Sequence, residues 1–135
     1  MAGEPIDLEE LRRLRPRVSD LYLRTRVLTA QPVRLVIELY DAAILSLEKA
    51  IRALETGADA SAQVTRTIQI VCELDLFLDF QRSPDASRAL ADVYEHVQTI
   101  LAEECADPSR ATLRQILGWF RKLREVWAVT RRRVT

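Results

Sequence analysis

LTAQPVRLVIELYD, residues 28–41, begins the most apolar helix that the sequence predicts. Thr29 is placed to act as N-cap, because a threonine hydroxyl can accept a hydrogen bond from an unpaired amide of the first turn. Pro32 falls within that turn, where its missing N–H costs little. The apolar residues that follow point in more directions than one buried face requires. This helix therefore either lies among several neighbours or keeps an apolar face for a partner.

The apolar spacing beyond this start predicts one long helix, from about residue 30 to residue 56. Gly57 is a natural end, because glycine adopts the left-handed conformation that closes many helices. The main apolar pattern alternates steps of three and four, as in a bundle helix, and a second stripe flanks only the N-terminal half. The main pattern contains Ala30, Val33, Ile37, Tyr40, Ile44, Leu47, Ile51 and Leu54, and the second stripe contains Leu35, Val36, Leu39, Ala42 and Ala43.

Three more amphipathic helices are predicted downstream. The second is expected to start near Asp59 or Ser61 and to reach about residue 81. Ser83-Pro84-Asp85 starts the third, since it combines a cap, a first-turn proline and an acidic residue. Asp107-Pro108 repeats that signal for the fourth helix, which ends in three arginines at residues 131–133. Such short links between long helices require antiparallel neighbours.

The expected fold class is therefore all-α, an antiparallel up-down-up-down four-helix bundle. We assign the bundle domain to residues 29–131 and an N-terminal extension, a possible lid with a short helix, to residues 1–28. Leu8, Leu11 and Leu14 recur at helical spacing within the extension, and Pro16 ends that pattern.

Composition restricts the class of protein. A chain of 135 residues with 48% hydrophobic and 30% charged residues fits one globular domain, and its formal net charge of zero gives no general attraction to nucleic acid. Cys72 and Cys105 form no close metal-type pair, which is typical of a reduced, cytoplasmic protein. No signal peptide and no run of about 18 apolar residues is present, so we expect no stable membrane insertion.

The residues do not indicate an enzyme, a cofactor or a metal. A di-metal bundle needs inward Glu-x-x-His pairs, but His96 is the only histidine and Val93 occupies the required Glu position. Gly118 lies inside the fourth helix, where it costs about 1 kcal/mol relative to alanine. That cost indicates the close approach of another backbone, from the chain itself or from a partner. Asp75 is expected to face partly inward and to hydrogen-bond a neighbouring helix or a water, in preference to shaping a groove for a partner.

The informative feature is a surplus of large apolar residues outside the bundle seam. In one interpretation the N-terminal extension covers them; in the other they form a groove for an apolar helix or an extended peptide. Both hold if the extension covers the groove until a partner replaces it. The seven surplus residues are Leu35, Leu39, Leu76, Phe77, Phe80, Tyr94 and Trp119.

Several short motifs, in order along residues 22–129, resemble the flagellar export chaperone family FliS. The family pattern starts with a tyrosine and a Thr-Ala-Ser-Pro helix start, has a Leu-Tyr-Asp-Gly motif, a Glu-Leu-Asn-x-x-Leu-Asp motif and a Leu-Tyr element, and ends in Leu-Arg-x-x-Trp. Gln31 and Ala42 depart from it, replacing Ser and Gly. The corresponding residues are Tyr22, Thr29-Ala30-Gln31-Pro32, Leu39-Tyr40-Asp41-Ala42, Glu73-Leu74-Asp75-Leu76-Phe77-Leu78-Asp79, Val93-Tyr94 and Leu123-Arg124-Glu125-Val126-Trp127.

The resemblance implies a cytoplasmic chaperone without enzymatic activity. Such a chaperone holds the disordered C-terminal segment of flagellin, prevents premature polymerisation and delivers its client to the type III export gate. With Tyr22 and Leu28 added to the seven surplus residues, nine residues are expected to bind protein. The alternative is a helical adaptor or structural bundle that uses the same surface to form a homodimer or to bind another client.

Overall fold

The computed structural model describes residues 31–78, 81 and 84–134, with the backbone alone for residues 31, 32 and 130–134. The predicted all-α class is confirmed, and four helices pack against one another. The predictions for Thr29 and for the N-terminal extension lie outside these residues. The helices are α1 (Gln31–Glu55), α2 (Ser61–Leu76), α3 (Pro84–Glu104) and α4 (Arg110–Val134).

The end of α1 follows the prediction at Gly57. This glycine has a φ of +76°, the left-handed conformation that side chains disfavour. Its N–H donates to the carbonyl of Leu54 (3.3 Å), and the N–H of Ala58 donates to the carbonyl of Ala53 (2.7 Å). Together these two bonds are the Schellman closure of a helix C-terminus.

The other helix ends differ from the prediction in two places. Helix α2 ends at Leu76 and not near residue 81, because the N–H groups of Phe77 and Leu78 bond back only three residues, which tightens the last turn. Helix α4 begins at Arg110, and its cap is Ser109, not Asp107. The hydroxyl of Ser109 accepts the N–H of Thr112 (3.4 Å), which satisfies one free amide of the first turn.

Ion pairs fix the register of α1 against α4. Arg114 pairs with Glu55 (3.0 Å), Arg121 with Glu48 (3.5 Å) and Arg124 with Asp41 (2.6 Å). The partner numbers fall along α1 as they rise along α4, so the two helices are antiparallel. Each exposed pair contributes at most about 1 kcal/mol. Their heptad spacing therefore specifies alignment more than stability.

Helix α1 lies beside both α2 and α4, and α2 lies beside α3. Side chains join α2 to α3 in antiparallel register: Gln98 Nε2 donates to Cys72 Sγ (3.0 Å), and the Thr65 hydroxyl lies 3.5 Å from Cys105 Sγ. The predicted up-down-up-down order therefore places the N-terminal end of α1 and the C-terminal end of α2 at the same end of the bundle.

The core contains most of the predicted seam and part of the predicted surplus. Val36 and Ala43, which belong to the second stripe of α1, are buried, because α1 has helices on two sides. Ile44 and Leu54, expected in the seam, are only half-buried. No helix in the described part of the chain is long and apolar enough to span a membrane.

Candidate functional site

Exposed apolar side chains concentrate at one end of the bundle. Leu76 and Phe77, at the C-terminal end of α2, are 83% and 42% exposed, and Leu35 in the first turns of α1 is 37% exposed. Because α1 and α2 are antiparallel and joined only by residues 56–60, these three residues occur at the same end. Leu39, one turn after Leu35, is half-buried and packs against the core. We call Leu35, Leu39, Leu76 and Phe77 the apolar end.

The apolar end contains four of the nine residues predicted to bind protein. Three others, Tyr22, Leu28 and Phe80, lie outside the described residues. For those three residues the prediction stands without a structural outcome.

Tyr94 and Trp119 correct the prediction that these two residues lie outside the bundle seam. They are only 2% and 5% exposed, so both belong to the core. Tyr94 points across the bundle to Tyr40 of α1, and the Trp119 ring lies 6.5 Å from the His96 ring of α3. The large rings of Tyr94 (α3) and Trp119 (α4) thus fill part of the core of the bundle.

Leu45 is an exposed leucine that sequence reasoning missed. It is 52% exposed in the middle of α1 and lies roughly 15 Å farther along the helix than Leu35. Its position outside both apolar patterns of α1 was a usable signal. A single exposed leucine is common on protein surfaces and by itself marks no site.

A buried polar layer crosses the bundle and contains Tyr40, Tyr94 and Trp127. The hydroxyls of Tyr40 (α1) and Tyr94 (α3) lie 2.6 Å apart. Trp127 of α4 opposes the rise in the pKa of Tyr40, and the charge of the exposed Asp75 (α2) adds to the raised pKa of Tyr94. Phe120 packs its ring against Tyr40 edge to face, with 5.7 Å between centroids. The contact between the two hydroxyls gives each buried tyrosine a partner and favours this arrangement of α1 and α3.

Both tyrosines of this layer remain neutral at physiological pH. Burial raises the pKa of Tyr40 to about 12, although hydrogen bonds from Tyr94 and Trp127 oppose the rise. Burial also raises the pKa of Tyr94 well above its ordinary value, and the charges of Tyr40 and Asp75 add to that effect. The layer therefore acts as a fixed network of neutral hydroxyls at neutral pH.

Acidic residues flank the apolar end. Glu73 and Asp75 are exposed near the C-terminus of α2, and the last turn of that helix has no basic residue. The partial negative charge of a helix C-terminus disfavours an acid there by about 0.3–1 kcal/mol at low salt. The sequence indicated that Asp75 faces partly inward, but this residue is exposed. The stripe of α2 that contacts the core passes through Leu74 instead.

His96 and Gly118 are two further positions that the sequence singled out. His96 packs at the edge of α3, and its Nε2 is buried without a hydrogen-bond partner in the described residues. A Cβ added to Gly118 would meet nothing within 4 Å. The described part of the chain therefore does not supply the close backbone approach that the sequence suggested at Gly118. Among the described residues, no group of three possible metal ligands occurs.

Comparison with known proteins gives one family match. The family model described as "Flagellar protein FliS" matches residues 15–133, which include all four helices except the final residue of α4. No curated protein sequence matches the chain.

Proposed function

The chain belongs to the FliS flagellar protein family, and from this premise we propose that it binds the disordered C-terminal segment of flagellin. Members of the family are non-enzymatic chaperones, and membership implies a role in flagellar export. In our proposal the captured segment cannot polymerise until the chaperone delivers it to the export apparatus in the cytoplasm. The apolar end is the observation that carries this proposal.

The apolar end supports capture of a segment with apolar side chains. Leu76 is the most exposed large apolar residue of the described chain, and Phe77 follows it directly. Water contact with such side chains is unfavourable, and burial recovers about 25 cal/mol per Å². Leu35 and Leu39 lie on α1 at the same end of the bundle, and we infer that an amphipathic client helix contacts apolar side chains of both helices.

Release must accompany capture in an export chaperone. A disordered client loses conformational entropy when it becomes ordered, and that loss offsets part of the favourable burial. The folded bundle, with Leu39 packed against its core, supplies a preformed surface, whereas the client must become ordered when it binds. We therefore infer moderate, reversible affinity.

A binding assay with flagellin tests the proposal. Monomeric flagellin with its C-terminal segment is expected to bind the full chain, and flagellin without that segment is expected to lose binding. Undiminished binding after removal of the segment would contradict the proposed mode. Light scattering over a concentration series tests the alternative function, a self-associating adaptor. A tight homodimer that does not bind flagellin would favour that alternative.

Two matched substitutions locate the surface. Leu76→Asp is expected to weaken flagellin binding at least tenfold, which is about 1.4 kcal/mol. Leu45→Asp, the same change at another exposed leucine, is expected to leave binding unchanged. Both variants should lose no more than about 1 kcal/mol of stability, because both positions are exposed and the only added cost is an acid at a helix C-terminus in Leu76→Asp. Equal losses of binding in both variants would remove the apolar end from the proposal.

A further inference from the structure

Acidic residues at the end of α2 are arranged against the ordinary preference of a helix. The C-terminus of a helix favours cations, yet α2 ends with Glu73 and Asp75 and without a basic residue in its last turn. A local rule broken in this way is expected mainly at functional positions.

Asp75 differs from the acidic residues of α1. Asp41, Glu48 and Glu55 each have an arginine of α4 as partner. Asp75 is exposed, and no ion pair or side-chain hydrogen bond joins it to the part of the chain that the structure describes. Its charge also contributes to the raised pKa of the buried Tyr94 hydroxyl.

Asp75 also lies at the boundary between the core and the apolar end. Leu74 before it is buried, whereas Leu76 and Phe77 after it are exposed. A ligand that covers the two exposed apolar side chains would bring its next polar residues to the carboxylate. Such a ligand removes water around Asp75, so an unpaired carboxylate would weaken binding and a cation would strengthen it.

We propose that the client segment bound at the apolar end carries a lysine or arginine beside its apolar residues, and that this cation pairs with Asp75. The inference rests on the proposed function and names the charge of the client. Apolar contact with Leu76 and Phe77 supplies affinity, while the ion pair fixes the direction of the segment and speeds its association at low salt. Asp75 is then a determinant of client choice.

The test uses the full chain and a synthetic peptide of the flagellin C-terminal segment, titrated at low and at moderate salt. Asp75→Asn keeps the shape of the side chain and is expected to weaken binding about fivefold to tenfold at low salt, with less salt dependence than the natural chain. Asp92→Asn is the matched control, since Asp92 is an exposed acid of α3, and is expected to change binding less than about twofold.

Stability separates this role from a structural one. Asp75→Asn removes a negative charge from a helix C-terminus, so the variant should unfold at the same or a higher temperature. Weaker binding of Asp75→Asn with unchanged or greater stability supports the proposal. A charge swap gives a second test: Asp75→Lys should bind a peptide in which glutamate replaces the proposed cation. Equal loss of stability and binding would overturn it.

Three other results would overturn the inference in distinct ways. If the natural chain binds the peptide and Asp75→Asn binds equally well, the ion pair is wrong but the proposed function stands. If the natural chain does not bind the peptide at all, the proposed function itself fails. If the natural chain forms a homodimer and Asp75→Asn dissociates it, the cation that pairs with Asp75 belongs to a second copy of the chain. Helix α4 of such a copy has eight basic residues and one acidic residue.

Discussion

The hydroxyls of Tyr40 and Tyr94, 54 positions apart in the chain, lie 2.6 Å from each other inside the bundle. Both side chains are fully buried, and their contact joins α1 to α3, two helices separated in sequence by α2. Because a buried hydroxyl without a partner is costly, this pair favours one arrangement of the helices over others with similar apolar burial.

The hydroxyl pair predicts a loss of stability when either partner is removed. Tyr40→Phe and Tyr94→Phe should each destabilise, because each change leaves the other buried hydroxyl without its partner. Each single change should cost about 1–3 kcal/mol in urea unfolding, and the double change should cost less than the sum. Strictly additive losses would show that the hydroxyls do not interact.

Alkaline pH should unfold the protein through these two tyrosines. Burial raises the pKa of Tyr40 from 10.0 to about 12, so above pH 10 the unfolded chain loses a proton that the folded chain retains. The unfolded state then binds fewer protons, and the free energy of unfolding falls as pH rises, by about 1.4 kcal/mol per pH unit for each such group. Below pH 10 this contribution is fully present.

Phenolate absorbance in a Tyr22→Phe background follows the ionisation of the two buried tyrosines, since Tyr40 and Tyr94 are then the only tyrosines of the chain. Tyr94→Phe should make the loss of stability between pH 10 and pH 12 less steep. Titration of both tyrosines near pH 10 in the folded protein would contradict their burial.

Gly118→Ala should stabilise the bundle. Alanine is favoured over glycine within a helix by about 1 kcal/mol, and the added Cβ would meet nothing within 4 Å. Gly57→Ala is the opposite control and should destabilise by about 1–2 kcal/mol, because Gly57 has a φ of +76°. Thermal unfolding of both variants checks the pair, and a destabilised Gly118→Ala would mean that α4 is packed more tightly there than the structure shows.

Leu74 and Leu76, two positions apart on α2, should differ sharply in their contribution to stability. Leu74 is 1% exposed, so Leu74→Ala should cost about 2–5 kcal/mol, whereas Leu76→Ala should cost less than about 0.5 kcal/mol. Urea unfolding measures both. Similar costs for the two variants would place Leu76 in the core and weaken its assignment to the apolar end.

Local signals in the sequence predicted those features that local chemistry decides. Gly57 ends α1 because only the backbone conformation of that residue matters there, and Pro84 begins α3 for the same kind of reason. The cap of α4 was predicted two residues early, since Asp107 and Ser109 carry similar short polar side chains and only the folded backbone selects between them.

The sequence by itself determined an all-α chain, its four helices and its membership of the FliS family, because heptad spacing, caps and motifs are properties of short segments. Only the tertiary structure decided which flanking residues are covered. Trp119 is buried, whereas Leu76 and Asp75 are exposed, since the rotation of each helix about its axis depends on its neighbours. A small rotation moves a residue at the edge of the apolar stripe between core and surface, and at the end of α2 it leaves the apolar end open to a partner.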